Sequence, residues 1–124
     1  MISDQFIEGN HWGLSTLLTI EDCNICYITD KKFLCGFIGD LVDFLDMQQY
    51  GEPVIERFGK GDLLGFSVVQ LIHTSCITMH FSEVDQRAFI DIFSCKGYEP
   101  SAVAEYCTGY LMGSSYTADW LFRD

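Results

Sequence analysis

The chain has 124 residues, 48% of them hydrophobic and 15% aromatic, which excludes a disordered chain and allows one domain with a real core. A formal net charge of -11 opposes binding to nucleic-acid phosphates and anionic membranes, but is compatible with a cationic small ligand. No apolar run reaches the length of a membrane span, and the polar opening MISDQFIEGN lacks the basic flank and apolar stretch of a secretory signal.

Residues Trp12 to Ile20 (WGLSTLLTI) mix threonine with aliphatics and predict a first strand. Asp30 is placed to cap a helix, because Phe33, Leu34, Phe37, Ile38, Leu41, Val42 and Leu45 follow at helical spacing. That helix should end near Met47, before the breaker at Gly51 to Pro53. Pro53 to Phe58 predicts a short strand, and Gly59 to Gly61 a turn. Leu63 to Ile72 carries aliphatics on both faces, as a central strand does. Cys76 to Phe81 and Ala88 to Ser94 are the next two strands, joined by the polar loop Ser82 to Arg87. Pro100 suits the first turn of a second helix, with Val103, Tyr106, Cys107, Tyr110 and Leu111 on one face. Gly113 ends it, and Tyr116 to Phe122 is the last strand.

Strands in succession with two interspersed helices predict an α+β fold. Its form would be a two-layer sandwich, a mostly antiparallel sheet with both helices on one face. Two helices cover one face only, while the strands at 63–72 and 88–94 are apolar on both. A homodimer that covers the second face is therefore expected. Six cysteines without a signal segment suit reduced thiols in the cytoplasm. Cys23 and Cys26 form a lone CxxC with no second pair, so buried thiols outweigh a metal site and none is expected.

The candidate chemistry lies between Phe66 and Tyr98. Alternation along strands puts Ser67, Val69 and Leu71 on one face, and likewise Phe89, Asp91, Phe93 and Cys95. Taken alone, Ser75 reads as a turn residue, His80 as a satisfied core or surface group and Cys95 as a small hydrophobe. No G-x-S-x-G elbow surrounds Ser75, and Gly59-Lys60-Gly61 is too short for a phosphate loop. His73, two residues before Ser75, could be catalytic or merely a strand position, and the strand position is the better reading.

The same segment resembles the core of the short, bacterial-type S-adenosylmethionine decarboxylases. Ser75 followed by CITMH, then RAFIDIFSC ending in Cys95, with Ser67 eight residues before Ser75, reproduces that family's spacing of two serines, a histidine and a cysteine. Asp91, four before Cys95, also agrees, and the Gly9 to His11 run resembles the family's start. The resemblance implies an S-adenosylmethionine decarboxylase-like domain over residues 1–124 that cleaves itself between residues 74 and 75. Ser75 would attack the Thr74 carbonyl, forming an ester whose elimination and hydrolysis leave a pyruvoyl cofactor on residue 75. Ser67 would hydrogen-bond the oxyanion, and His80 would move protons. The pyruvoyl ketone would hold substrate as a Schiff base, and Cys95 would return a proton to the α-carbon.

The chain departs from the family in three places: Thr74 replaces a frequent glutamate, Cys76 a frequent histidine, and Phe81-Ser82-Glu83 a W-P-E. Glu83 is the candidate for holding the substrate ribose. Phe58 is a candidate for stacking adenine, against a role in the core, and His11 could face the pocket or be structural. The implied substrate is S-adenosylmethionine and the product an aminopropyl donor for spermidine synthesis. Arginine or ornithine decarboxylation by the same residues is one alternative. A non-catalytic regulatory paralogue is another.

Overall fold

A computed structural model describes all residues 1–124. The elements in order are α1 (Ile2–Glu8), β1 (Gly13–Glu21), α2 (Ile25–Ile28), α3 (Lys31–Phe44), β2 (Val54–Phe58), a 3-10 turn (Gly61–Leu63), β3 (Gly65–Ile72), β4 (Ser75–Ser82), β5 (Arg87–Ser94), α4 (Pro100–Tyr110) and β6 (Ser115–Arg123). The six strands form one sheet in the order β2-β3-β4-β5-β1-β6, and every pairing is antiparallel. The expected α+β sandwich is present.

Local chemistry explains the two long helices. The Asp30 carboxylate accepts hydrogen bonds from the Lys32 and Phe33 amides, which the helix itself leaves unpaired. Leu34, Phe37, Ile38, Leu41 and Val42 then form the stripe that α3 buries. α4 begins with Pro100 and buries Val103, Ala104 and Cys107. These side chains meet the inner face of the sheet, where Leu14, Leu18, Val68, Ile77, Met79, Ile90 and Ile92 are all essentially inaccessible. Each large apolar residue buried there stabilises the fold by roughly 1.5–3 kcal/mol over leaving it exposed. Cys23 and Cys107 belong to this core. Burial pushes their thiols up to about 11 and about 12, so the Cys23–Cys26 pair is packing on one side and surface on the other.

Two short helices were not expected from the sequence. α1 has no side-chain cap and holds by burying Phe6 against Phe122. The four-residue α2 is set by Asn24, whose side chain accepts from the Cys26 amide. The strand expected from Leu63 starts only at Gly65, because the 3-10 turn takes up residues 61–63. A side chain at Gly65 would overlap the Phe81 carbonyl, so the close β3–β4 crossing there requires glycine.

The middle of the α3–β2 loop is pinned beside the β3–β4 hairpin. Buried Gln70 accepts from Gln49 at 2.9 Å and donates to the carbonyls of Gly51 (3.1 Å) and Leu71 (2.7 Å). The His73 amide donates to the Gln48 carbonyl, and Tyr50 N–H to the Leu71 carbonyl. This clamp seats Met47 over the hairpin. Gln70→Ala would leave the Gln49 amide and the Gly51 carbonyl without their partner and is expected to destabilise by on the order of 2 kcal/mol or more. Urea unfolding measures this; a change below about 0.5 kcal/mol would mean that the loop is anchored by its backbone contacts alone.

The outer face of the sheet is bare. Leu17, Val69, Leu71, Phe89 and Leu121 lie there among Ser67, Cys76, Thr78, His80 and Asp91, and Leu17 is 57% exposed and Leu121 62%. No helix of the chain is long and apolar enough to cross a membrane.

Candidate active site

The β3–β4 hairpin organises the candidate residues. Ser67 and His80 face each other across it, with Ser67 Oγ 3.0 Å from His80 Nδ1 on the outer face. At the other end, Ile72 pairs with Ser75 across a two-residue turn, His73-Thr74. Thr74 has a φ of 67°, a left-handed conformation that costs a β-branched residue on the order of 1–2 kcal/mol. The peptide entering Ser75 is therefore strained. Hydrogen bonds hold it in place: Thr74 Oγ1 donates to the His73 carbonyl at 2.6 Å, and the Cys95 N–H donates to the Thr74 carbonyl at 3.1 Å.

Ser75 is the first residue of β4 and points to the inner side. Its hydroxyl is 2.7 Å from the Ser94 hydroxyl and 3.6 Å from Met47 Sδ. Trp12, Thr74, Ser75, Cys76, Phe93 and Cys95 line one shallow opening, with the Trp12 ring stacked on Phe93. Thus Ser75 and Cys95 line the same opening, while Ser67 and His80 meet directly. The two pairs do not meet. Ser75 and His80 are five residues apart on one strand, about 16 Å, and of opposite parity, so their side chains leave opposite faces. A depression lined by Leu17, Cys76, Thr78, Asp91 and Arg123 occupies the outer face between the two ends.

The weaker candidates divide. Phe58 is 60% exposed on the outer face opposite Gly65, so the core role does not hold and its ring is available for stacking. Glu83 is gripped by Arg57 through two hydrogen bonds of 2.7 and 2.8 Å, and the guanidinium draws its carboxyl below the ordinary carboxylate range. It is not a free acid. His11 is tied at Nδ1 to Asp124 at 2.8 Å and stacks on Phe122 at 4.2 Å, which anchors the N-terminal helix to the last strand and lines no opening. His73 is exposed and meets the edge of Tyr50.

Three residues escaped the sequence reading: Trp12 and Met47, which reach the hairpin end by folding, and Ser94. The last was within reach, since it directly precedes Cys95, but register with Ser75 needs the β4–β5 pairing.

A family model for S-adenosylmethionine decarboxylase matches residues 14–124. The chain belongs to the S-adenosylmethionine decarboxylase family. No curated protein sequence matches it. Among solved structures, the adenosylmethionine decarboxylase of Aquifex aeolicus superposes with a TM-score of 0.74 over 91% of each chain, at 16% identity. That identity establishes the fold alone. In this member of the S-adenosylmethionine decarboxylase family, the Thr74–Ser75 peptide combines a left-handed Thr74 with a carbonyl hydrogen-bonded to the Cys95 N–H. The lining of this opening includes two aromatic rings, Trp12 and Phe93, and two thiols, Cys76 and Cys95.

Proposed function

We propose that this chain is a self-processing, pyruvoyl-dependent S-adenosylmethionine decarboxylase that acts as a homodimer. The observation that carries the reading is the strained turn before Ser75, with the Thr74 carbonyl held by the Cys95 N–H. Ser75 Oγ attacks that carbonyl carbon, the Thr74–Ser75 C–N bond breaks, and the hydroxyl proton passes to the freed amine. The Cys95 N–H stabilises the oxyanion, and opening the turn releases the backbone strain. Loss of the residue-75 Cα proton then expels the ester oxygen, leaving Thr74 as a carboxylate and residue 75 as dehydroalanine. Uptake of water and loss of ammonia give the pyruvoyl group. These residues fit that cofactor: the hydroxyl and the acyl carbon are adjacent at the hairpin turn, and the oxyanion donor, the Cys95 N–H, reaches them from the end of β5.

The pyruvoyl group, once formed, supplies an electron sink for the pair that carbon dioxide leaves behind. Cys95, on the same opening, gives a proton to the substrate α-carbon. Ser67 and His80 cannot reach that carbon from the far end of their own hairpin, so a second copy supplies them. A two-fold axis through the bare outer face brings the Ser67–His80 pair of one copy to the Ser75–Cys95 end of the other. The exposed Leu17, Val69, Leu71 and Leu121 supply the apolar contact, on the order of 1,600 Å² in total for a stable pair. Six unpaired thiols suit the cytoplasm.

The cationic sulfonium substrate is attracted by the net charge of -11 and by Asp91 on the outer face. Its decarboxylated product is the aminopropyl donor for spermidine synthesis. The Arg57–Glu83 ion pair favours a second reading, because it occupies the acid expected to hold the ribose. Arginine or ornithine would need no ribose contact. Carboxyl-labelled S-adenosylmethionine, arginine and ornithine separate these readings. Carbon dioxide release from S-adenosylmethionine alone is expected, and release from arginine or ornithine alone would overturn the choice of substrate.

A further inference from the structure

We propose that Ser94 is the positioning residue for self-processing, holding the Ser75 hydroxyl on the face of the Thr74 carbonyl that it attacks. The proposal rests on the reading of Ser75 as the processing serine and names a group that the four-residue motif leaves out. Ser94 is completely buried, and its oxygen lies 2.7 Å from Ser75 Oγ. The Lys96 N–H donates to that oxygen at 2.9 Å, which fixes Ser94 from the backbone independently of Ser75. Met47 Sδ closes the third side, 3.6 Å from Ser75 Oγ and 3.9 Å from Ser94 Oγ. Lys96 Nζ in turn reaches Asp46, next to Met47, and keeps this wall in place.

Geometry gives the holder its direction. The Thr74 carbonyl points along the sheet toward the Cys95 N–H, so the open faces of its carbon look above and below the sheet. Ser75 leaves the sheet on the inner side, where Ser94 and Met47 wait. A hydroxyl kept there stays over one of those faces. An unheld serine at a strand end samples three rotamers and loses much of that time to water. The two hydroxyls also share one hydrogen bond, so the Ser75 proton has an acceptor before it moves to the amine.

The test follows cleavage of freshly translated full-length chain by intact mass, with wild type, Ser94→Ala and Ser94→Thr in parallel. Ser94→Ala is expected to cleave about tenfold or more slowly, because attack loses its orientation. Ser94→Thr, which keeps the hydroxyl, should stay within about threefold of wild type. Hydroxylamine, which cleaves esters but not amides, adds a readout that packing would not move. It should release little fragment from Ser94→Ala, since the ester is not reached. Ser94→Ala cleaving at the wild-type rate or faster would overturn the proposal while leaving Ser75 as the processing serine. Equal slowing in the Ala and Thr variants, with equally lowered melting temperatures, would overturn it in favour of packing. A wild-type chain that stays whole would remove the reading of Ser75, and Ser94 with it.

Discussion

Freshly purified protein is expected to separate under denaturing conditions into two fragments, residues 1–74 and residues 75–124. Ser75→Ala should remain a single 14.1 kDa chain and release no carbon dioxide. The alanine removes the only oxygen that can reach the Thr74 carbonyl through one residue, so no ester forms and no cofactor appears. The smaller fragment should resist Edman sequencing until reductive amination turns its keto group into an amine. Cys95→Ala separates the two stages. The donor to the Thr74 carbonyl is the backbone N–H of residue 95, which alanine keeps, so cleavage should proceed. With the Cys95 thiol as the proposed proton donor in turnover, its loss is expected to cost on the order of 10²–10⁴ in rate. Intact mass and labelled carbon dioxide read the two stages independently. A wild-type chain that stays at full length after prolonged incubation would point to the non-catalytic paralogue.

Periodicity made the two long helices and the inner strands legible, because they bury regular stripes: Leu34, Phe37, Ile38 and Leu41 on α3, and alternate residues of β4 and β5. α1 and α2 were not legible, since seven and four residues give too few turns for a period, and tertiary packing of Phe6 decides the first. Spacing also carried the four motif residues, yet it ran them together as one set. The correction was present in parity: Ser75 and His80 are odd and even on a single strand, so they leave opposite faces. The left-handed Thr74 was beyond reach. Nothing in a threonine predicts it, and it exists because Ile72 and Ser75 pair tightly across the turn while Cys95 and Gln48 hold the flanking backbone groups.

That parity leads to the sharpest expected result, a rescue between two dead proteins. His80→Ala alone should stay unprocessed, because both of its sites lack the proton carrier. Cys95→Ala alone should be cleaved but not turn over. If each site takes Ser75 and Cys95 from one copy and Ser67 and His80 from the other, a mixed dimer contains one complete site and one doubly damaged site. Random exchange makes half of the dimers mixed, so activity should return to about a quarter of wild type. The complete site is the one on the His80→Ala chain. That chain, uncleaved by itself, should therefore be cut at Ser75 once the Cys95→Ala partner is added, and mass spectrometry distinguishes the two chains. A site built within a single protomer gives the opposite outcome, because every protomer in the mixture still carries one lesion. In that case neither activity nor cleavage of the His80→Ala chain would appear at any mixing ratio. The hairpin geometry would then have to change by about 16 Å within one chain to unite Ser75 with His80, which a paired strand cannot do.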